Sequence, residues 1–252
     1  MRKELRHKPA FSPGSFMDDK PFSVHNGILD FIYESTDYLE NYELICKDDL
    51  CKEKTPMAVK KILLSLVKDR ILGRFCDIGC GDGYIIEHIE SPDKIAVDIA
   101  FDYLSLLSDN ITKVRCWAED TPFKTGSMDT ILCSDVIEHV LDTRLLAKEL
   151  TRIIKPEGNI LLAFPFEQDL GVYELPKYKA KYAKYKYIHL RAINDLLIEE
   201  LFPDYNVVFS CMIREGMKFM EFKPYPIKFI ELRRKVIKGS YVRNSRNNKI
   251  KR

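Results

Sequence analysis

Residues 76 to 83 are the part of this chain best suited to binding a ligand through the main chain. Asp77 is followed by Gly79, Gly81 and Gly83, so a Cβ is missing at every second position of the loop. Such backbone permits positive φ and lets a ligand approach closely. An apolar run precedes the loop and helical periodicity follows it, which predicts a strand, a tight turn and a helix. In an open α/β sheet, ligands bind at this junction, where loop amides and a helix N-terminus favour an electron-rich group.

The spacing of the glycines separates two kinds of cofactor. A dinucleotide-binding loop has the form G-x-G-x-x-G, and its third glycine packs the helix against the strand. Here the register is G-x-G-x-G, and bulky Tyr84 occupies the position where the dinucleotide pattern requires its last glycine. The register therefore argues against a pyrophosphate lying across the start of the helix.

Acidic and imidazole side chains follow the next predicted strands. Asp98 ends the second strand about 20 residues beyond the glycine loop, where a carboxylate can accept from both hydroxyls of a ribose. Glu119 and Asp120 follow the third strand, and Asp135 and His139 follow the fourth. Because the carboxyl ends of parallel strands meet at one edge of the sheet, we expect these side chains to face the same ligand.

Four segments together resemble the motifs of class I S-adenosylmethionine-dependent methyltransferases, and in particular the quinone-biosynthesis-type group that modifies small molecules. The resemblance covers about residues 70–165, and it is specific for fold and cofactor but not for the methyl acceptor. It implies S-adenosyl-L-methionine as the cofactor. The four segments are Asp77-Ile78-Gly79-Cys80-Gly81-Asp82-Gly83, Asp98, Trp117-Ala118-Glu119-Asp120-Thr121-Pro122-Phe123 and Asp135-Val136-Ile137-Glu138-His139-Val140.

The resemblance also implies roles for individual side chains. Asp98 would bind the ribose hydroxyls, and Asp135 would lie beside the transferable methyl group. Either Glu119 or Asp120 would accept from the adenine amine, and the choice between them stays open. The residues that the resemblance assigns to the cofactor site are Asp77, Gly79, Cys80, Gly81, Gly83, Asp98, Ile99, Ala118, Glu119, Asp120 and Asp135.

Two histidines are candidates for a catalytic base, which an oxygen or carbon acid needs when it accepts a methyl group. His139 stands at a strand end, and His189 precedes a helix on the acceptor side in a His-x-Arg segment that resembles one in related enzymes. Imidazole titrates near neutral pH, which suits this role, although either ring could instead cap or pack a helix. The expected reaction is methyl transfer to an oxygen or carbon of a small, lipid-linked or glycan-linked acceptor.

Strands and helices alternate between residues 70 and 165, which predicts a mostly parallel sheet with right-handed crossovers. The expected fold class is therefore α/β: a Rossmann-like, seven-stranded, mainly parallel sheet with helices on both faces and an antiparallel hairpin at one edge. The expected strands are 74–77, 94–98, 113–117, 129–134, 159–164, 205–212 and 217–222. The expected helices are 25–36, 56–69, 82–90, 101–109, 142–154 and 189–201.

The chain is expected to have four parts. Thr55 and Pro56 form a good helix start, as N-cap and first helical residue, for the second N-terminal helix. The parts are a flexible N-terminal arm (1–23), N-terminal helices covering the cofactor site (24–69), a methyltransferase domain (70–222) with an acceptor-side insertion (166–200), and a basic C-terminal tail (223–252).

Two basic regions leave other partners open. Residues 177–187 interleave lysines with tyrosines, and such a surface can bind phosphates and stack bases, so an RNA methyltransferase is an alternative. Lysines covering tyrosines on a solvated helix would give the same pattern. The basic tail follows the apolar cluster at 227–232, which suits either peripheral contact with anionic lipid or a solubilising tail. A third alternative is an S-adenosylmethionine-binding partner protein without catalytic activity.

Composition narrows the class of protein further. The 252 residues are 46% hydrophobic, as in soluble globular proteins, and no apolar run approaches the roughly 20 residues that span a bilayer. The seven cysteines lie mostly in or beside expected strands, which favours reduced thiols and a cytoplasmic location. Neither Cys46 with Cys51 nor Cys76 with Cys80 has the spacing of a zinc site, so no metal is expected.

Overall fold

The computed structural model describes residues 16–17, 20–48, 57–214 and 226–236. The strands in these ranges are β1 Ser23–His25, β2 Ile28–Asp30, β3 Phe75–Ile78, β4 Lys94–Asp98, β5 Thr112–Arg115, β6 Met128–Ser134, β7 Ile154–Pro165, β8 Tyr205–Ile213 and β9 Ile227–Arg234. The helices are α1 Asp37–Lys47, α2 Met57–Lys68, α3 Tyr84–Glu87, α4 Phe101–Ser105, α5 Thr143–Ile153, α6 Pro176–Tyr182 and α7 Asp195–Leu201. The described strands form one sheet in the order β1-β2-β5-β4-β3-β6-β7-β9-β8.

The middle of this sheet is parallel and buried on both faces. Phe75, Cys76 and Ile78 of β3 have no exposed surface, which explains why the strand is a nearly continuous apolar run. β3 pairs in parallel with β4 on one side and with β6 on the other. The chain proceeds outward from β3 to β4 and β5, and then returns to β6 and β7 on the other side. The strand order therefore reverses beside β3, which is where an open α/β sheet forms a ligand-binding cleft.

Within the described residues the sheet has nine strands instead of the expected seven, because residues 23–30 form a hairpin. β1 and β2 pair antiparallel, and β2 extends the sheet by pairing in parallel with β5. Asn26 and Gly27 at the turn have φ of 51° and 78°, and two such residues make the type I′ turn that Asn-Gly favours. The helix expected at 25–36 is therefore wrong, and the Asn-Gly pair is the signal that predicts the hairpin.

The first described helix, α1, lies entirely beyond the range of the expected helix at 25–36. α1 starts after Thr36, whose hydroxyl accepts from the amide of Leu39 at 3.1 Å and so caps the helix. α2 agrees with the helix expected at 56–69, while its expected start at Thr55 and Pro56 lies outside the described residues. None of the described helices is both long and apolar enough to cross a membrane.

The C-terminal edge of the sheet is an antiparallel hairpin, as expected, but its second strand comes later in the chain. β9 pairs antiparallel with both β7 and β8. The strand expected at 217–222 lies outside the described residues. The range expected to be a tail, 223–252, instead contains the strand β9. Phe229 and Leu232 are buried in the sheet, so they are not available to an interfacial helix. The part of the tail from 237 onward is outside the described residues.

One arginine joins the N-terminal elements to the parallel sheet. Arg115, at the end of β5, donates to the carboxylates of Asp30 at 3.0 Å and Glu43 at 2.9 Å. It also donates to the carbonyl of Ile99 at 2.9 Å. Asp30 ends β2 and Glu43 lies on α1, and all three charged side chains are mostly buried. Because both carboxylates are largely removed from water, they depend on the guanidinium.

We expect Arg115→Met to lower the free energy of unfolding by about 3 kcal/mol, because two mostly buried carboxylates lose their cation. Urea denaturation measures this change. Arg144→Met is the matched control, since Arg144 pairs with Glu200 on the surface, where an ion pair contributes about 0–1 kcal/mol. Equal losses of stability in the two variants would contradict the role assigned to Arg115.

Candidate active site

The glycine loop is held against β4 and is shaped by close packing. The amide of Gly79 donates to the carbonyl of Val97 at 2.8 Å. Gly83 has a φ of 76°, and a Cβ at this position would lie 2.0 Å from the side chain of Leu107. A Cβ on Gly81, in contrast, would meet nothing within 4 Å. Gly83 therefore serves packing, whereas the backbone at Gly81 borders open space.

Asp98 ties the glycine loop to the neighbouring strand. Its Oδ2 accepts from the amide of Gly81 at 2.8 Å, and its Oδ1 accepts from the amide of Ala100 at 2.9 Å. Each carboxylate oxygen can accept a further hydrogen bond, so the group can hold the loop and still bind a hydroxyl. Burial raises the pKa of Asp98 to about 6, against the opposing effect of its backbone hydrogen bonds. The carboxylate is therefore mostly ionised at neutral pH.

Asp77 lies at the end of β3, beneath the loop, and is almost completely buried. Burial raises its pKa to about 8, and the nearby charges of Asp98 and Asp82 contribute to the rise. Its carboxyl group is therefore mostly protonated at neutral pH. A cation bound close to this group would favour the ionised form.

A cavity lies above the loop, between the strand ends and α1. It is lined by most of the residues predicted for the site, namely Gly79, Gly81, Asp98, Ile99, Ala118, Glu119, Asp135, His139 and His189. The predicted residues that do not line it are Asp77, Cys80, Gly83 and Asp120. The aromatic lining residues that the sequence analysis missed are Tyr38, Tyr42, Tyr103 and Trp117.

The structure distinguishes the two acidic residues at the third strand end. Glu119 lines the cavity, and its carboxylate accepts from the amide of Leu141 at 3.1 Å. Burial raises the pKa of Glu119. Asp120 turns outward, with a side chain that is 76% exposed and paired with Lys20. Of the two acidic residues, Glu119 is therefore the one that faces the cavity.

Asp135 has an unusual backbone conformation at the point where β6 ends. Its φ is 52°, which residues other than glycine adopt uncommonly. Its amide donates to the carbonyl of Ala163 on β7 at 2.8 Å, which holds the chain in this conformation. Backbone strain of this kind costs about 1–3 kcal/mol and is concentrated at functional sites. Here it accompanies the placement of Asp135 in the cavity lining.

Two histidines and two buried glutamates form a cluster beside the cavity. Nδ1 of His139 donates to the carbonyl of Ile188, and the rings of His139 and His189 meet edge to face with centroids 4.9 Å apart. Nδ1 of His189 lies 3.0 Å from Oε1 of Glu167. Candidate ligand atoms of Glu138, His139 and His189 lie within 4.8 Å of one another, so these residues could hold a metal ion. The expectation of no metal stays a prediction.

Aromatic rings from distant parts of the chain form one wall of the cavity. The ring of Tyr38 on α1 lies 5.6 Å from that of Trp117 and 5.2 Å from that of Tyr187. The side-chain amide of Asn41 donates to the carbonyl of Tyr187 at 3.0 Å, which joins α1 to the segment after α6. The hydroxyl of Tyr38 donates to the carbonyl of His139 at 3.2 Å. These contacts hold an aromatic wall on the α1 side of the cavity, to which Tyr38, Tyr42 and Trp117 contribute lining surface.

The basic segment 177–187 is neutralised in part by the chain's own carboxylates. Two of its lysines pair with acidic residues at the two ends of α1, which is the acid-rich part of the sequence. These cations are therefore not arranged as an open track for phosphates. The ion pairs among the described side chains of the segment are Lys179 with Glu174, Lys184 with Asp48 and Lys186 with Asp37.

The charge of the cavity lining distinguishes between ligands. The lining contains the carboxylates of Asp98, Glu119 and Asp135, and it contains no lysine or arginine among the residues that the structure describes. In a partly desolvated site, the attraction between opposite charges is stronger than in bulk water. This lining therefore favours a cationic ligand such as a sulfonium and disfavours an anionic pyrophosphate.

The sheet has the strand order of a class I methyltransferase fold, and comparison with known proteins agrees. Residues 76–162 match the protein family described as methyltransferase domain. The structure of an S-adenosylmethionine-dependent methyltransferase from Thermotoga maritima, described as a possible histamine N-methyltransferase, superposes with a TM-score of 0.59 at 20% identity. That match covers 78% of this chain and 99% of the other.

Two curated proteins are similar over part of the chain. An uncharacterised protein of Methanocaldococcus jannaschii is 29% identical over 115 residues, which cover 46% of this chain and 48% of that protein. A ubiquinone biosynthesis O-methyltransferase of Xanthomonas oryzae pv. oryzae is 26% identical over 100 residues, which cover 36% and 42% of the two chains. The chain thus spans about half the length, or less, of these relatives. The matched range thus carries a methyltransferase domain, and the described part of the chain has the fold of S-adenosylmethionine-dependent methyltransferases.

We expect Asp77→Asn to stabilise the protein at high pH and to have little effect at low pH. The pKa of Asp77 is about 8 in the folded protein and 3.8 in the reference state, so folding takes up a proton. The stability contributed by this group is therefore complete below about pH 4 and is lost as the pH rises through about 8.

Urea denaturation of the wild type and Asp77→Asn at about pH 5, 7 and 9 measures the difference in unfolding free energy. Asp120→Asn is the control for removing an exposed carboxylate. A difference between the wild type and Asp77→Asn that stays constant with pH would contradict the burial argument.

Proposed function

We propose that the protein transfers the methyl group of S-adenosylmethionine to an oxygen or carbon of a small, lipid-linked or glycan-linked acceptor. The observation that carries the proposal is the acidic, aromatic-walled cavity above the glycine loop, because this environment suits a sulfonium cofactor. We further propose that the protein acts in the cytoplasm. In support, the described cysteines are all free thiols, as a reducing compartment would keep them.

Each part of the cofactor has a matching part of the cavity in this proposal. Asp98 accepts from the ribose hydroxyls with the lone pairs not used by the backbone amides. Glu119 accepts from the adenine amine, and Trp117 supplies apolar surface beside the ring. The bare backbone at Gly81 faces the amino-acid part of the cofactor. Asp135 lies close to the sulfonium, where its charge stabilises the cation.

Catalysis in this proposal depends mainly on position. Methyl transfer from a sulfonium is an in-line displacement, so holding the acceptor atom roughly 3 Å from the methyl carbon supplies much of the rate. The positive charge on sulfur disperses in the transition state, and a pocket with little water favours this change. The rings of Tyr38, Tyr42 and Trp117 provide such surroundings.

The preference for an oxygen or carbon acceptor rests on the histidines beside the cavity. Both atoms lose a proton when they are methylated, and imidazole is the side chain best suited to take it near neutral pH. The similarity to a ubiquinone biosynthesis O-methyltransferase agrees with an oxygen acceptor. RNA is less favoured as the acceptor, since three lysines of the 177–187 segment pair with carboxylates of the chain.

We expect Asp98→Ala to weaken the binding of S-adenosylhomocysteine by more than about tenfold, because a buried acceptor of hydrogen bonds is lost. Isothermal titration calorimetry measures the affinity. Asp120→Ala is the control, since Asp120 is exposed and does not line the cavity, and it should bind like the wild type. Equal affinity in Asp98→Ala and the wild type would refute the ribose-binding role.

Methyl transfer itself can be measured with tritiated S-adenosylmethionine and three sources of acceptor: a metabolite extract, a lipid extract and bulk RNA. We expect label in the metabolite or lipid fraction and none in RNA. Label in RNA that falls steeply with rising salt would instead favour the nucleic-acid alternative. Binding of S-adenosylhomocysteine without transfer to any fraction would favour a non-catalytic partner protein.

A further inference from the structure

Glu167 and His189 form a buried, hydrogen-bonded pair beside the cavity. The two carboxylate oxygens of Glu167 lie 3.0 and 3.3 Å from Nδ1 of His189. The side chain of Glu167 is fully buried, while that of His189 is 6% exposed and lines the cavity. An ionised carboxylate can only accept, so the distances fit a pair in which Nδ1 of His189 donates to Glu167.

The main chain holds this pair from two neighbouring strand ends. Glu167 follows β7, and its amide donates to the carbonyl of Ile193 at 3.0 Å. The amide of Leu190, next to His189, donates to the carbonyl of Glu138 at 2.9 Å, in the segment after β6. The pair therefore belongs to the hydrogen-bonded framework of the site and is not a contact between surface side chains.

His139 is held in a different way. Its Nδ1 donates to the carbonyl of Ile188, which is a neutral group, and its Nε2 lies 3.7 Å from Oε1 of Glu138. Groups of the protein thus face both of its ring nitrogens. Its hydrogen bond fixes the residue immediately before His189, and its ring packs edge to face against the ring of His189. This geometry suits a residue that positions His189.

We propose that Glu167 and His189 together are the general base for methyl transfer, and that His139 positions His189. The assignment rests on the proposed function, and it names the acceptor class as one whose reacting oxygen or carbon carries a proton. The titratable groups around His189 are Glu167 from the end of β7, and Glu138 and His139 from the segment after β6. The hydrogen bond to Glu167 orients the ring of His189, which lines the cavity.

The step balances within the site. With Nδ1 protonated, the neutral ring of His189 carries its lone pair on Nε2. Nε2 takes the proton of the acceptor, and the electron pair that this releases forms the bond to the methyl carbon. The bond between sulfur and the methyl carbon breaks with its electrons going to sulfur, which leaves S-adenosylhomocysteine. The imidazolium, stabilised by Glu167, returns its proton to water after the products leave.

Nitrogen-15 NMR of the full-length protein with labelled histidine tests the pair without any acceptor. The signals of His189 are assigned by their loss in His189→Gln. In the neutral ring we expect the proton on Nδ1 and the lone pair on Nε2. A neutral ring protonated on Nε2 would overturn the assignment, whatever the activity of the protein.

The second test measures the rate of label transfer from tritiated S-adenosylmethionine to the metabolite and lipid extracts. The rates are measured over about pH 6 to 9. We expect His189→Gln to lose about 100-fold or more, and Glu167→Gln about tenfold. In His189→Gln the remaining rate should rise with pH, because the acceptor then loses its proton to solvent. His88→Gln is the control, since His88 does not line the cavity, and its rate should match the wild type.

The affinity for S-adenosylhomocysteine separates this inference from the proposed function. We expect all of these variants to bind it within about twofold of the wild type, as for a step that follows cofactor binding. A wild type that binds it and transfers no label would refute the proposed function, and the nitrogen-15 result would then decide the pair by itself. Equal rates and pH profiles in the wild type, Glu167→Gln and His189→Gln would overturn the base assignment.

Discussion

The buried carboxylate of Asp98 accepts hydrogen bonds from the amides of Gly81 and Ala100. These bonds join the two strand ends on which the whole site is built. They form because β3 and β4 are parallel neighbours in register, with Ile78 opposite Val97, so that the loop after β3 lies next to the end of β4. Burial disfavours the ionised form of Asp98, and it therefore raises the pKa of this carboxyl group. The amides of Gly81 and Ala100 offset part of this rise.

The site has two sides of different origin. One side consists of strand ends within residues 76–162, the range that matches the methyltransferase family. The other side comes from α1 and the segment around residues 182–189, which lie outside that range. Arg115 attaches α1 to the sheet, and the ion pairs of Asp37 and Asp48 join the two ends of α1 to Lys186 and Lys184. Part of the cavity lining therefore comes from residues that the matched range does not contain.

The group of histidines and glutamates shows how the fold creates chemistry from separated residues. Glu138 and His139 follow β6, Glu167 follows β7, and His189 comes more than twenty positions later. β6 and β7 are parallel neighbours, so their ends meet, and the carbonyl of Ile188 accepts from His139 to bring His189 to the same place. The two histidines look equivalent in the sequence. The fold gives them different partners, a carboxylate for His189 and a carbonyl for His139.

Features that depend on residues close together in the chain can be predicted from the amino-acid sequence. The sheet and its ligand-binding edge are predicted by the glycine register, the acid at the end of β4 and the apolar runs of the central strands. These signals are local, because the geometry of a turn and the burial of a strand depend on a few consecutive residues. The hairpin at 23–30 was missed, although the Asn26-Gly27 signal is local. β9 was assigned to a tail because cations follow its apolar cluster.

Features that depend on long-range packing could not be predicted from the sequence. In the folded protein Asp120 faces solvent and Glu119 faces the cavity. Tyr38 and Tyr42 line the cavity, and Glu167 pairs with His189. The physical reason is that hydrogen bonding and burial depend on which side chains meet in space, and strand order brings together residues that are far apart in the chain.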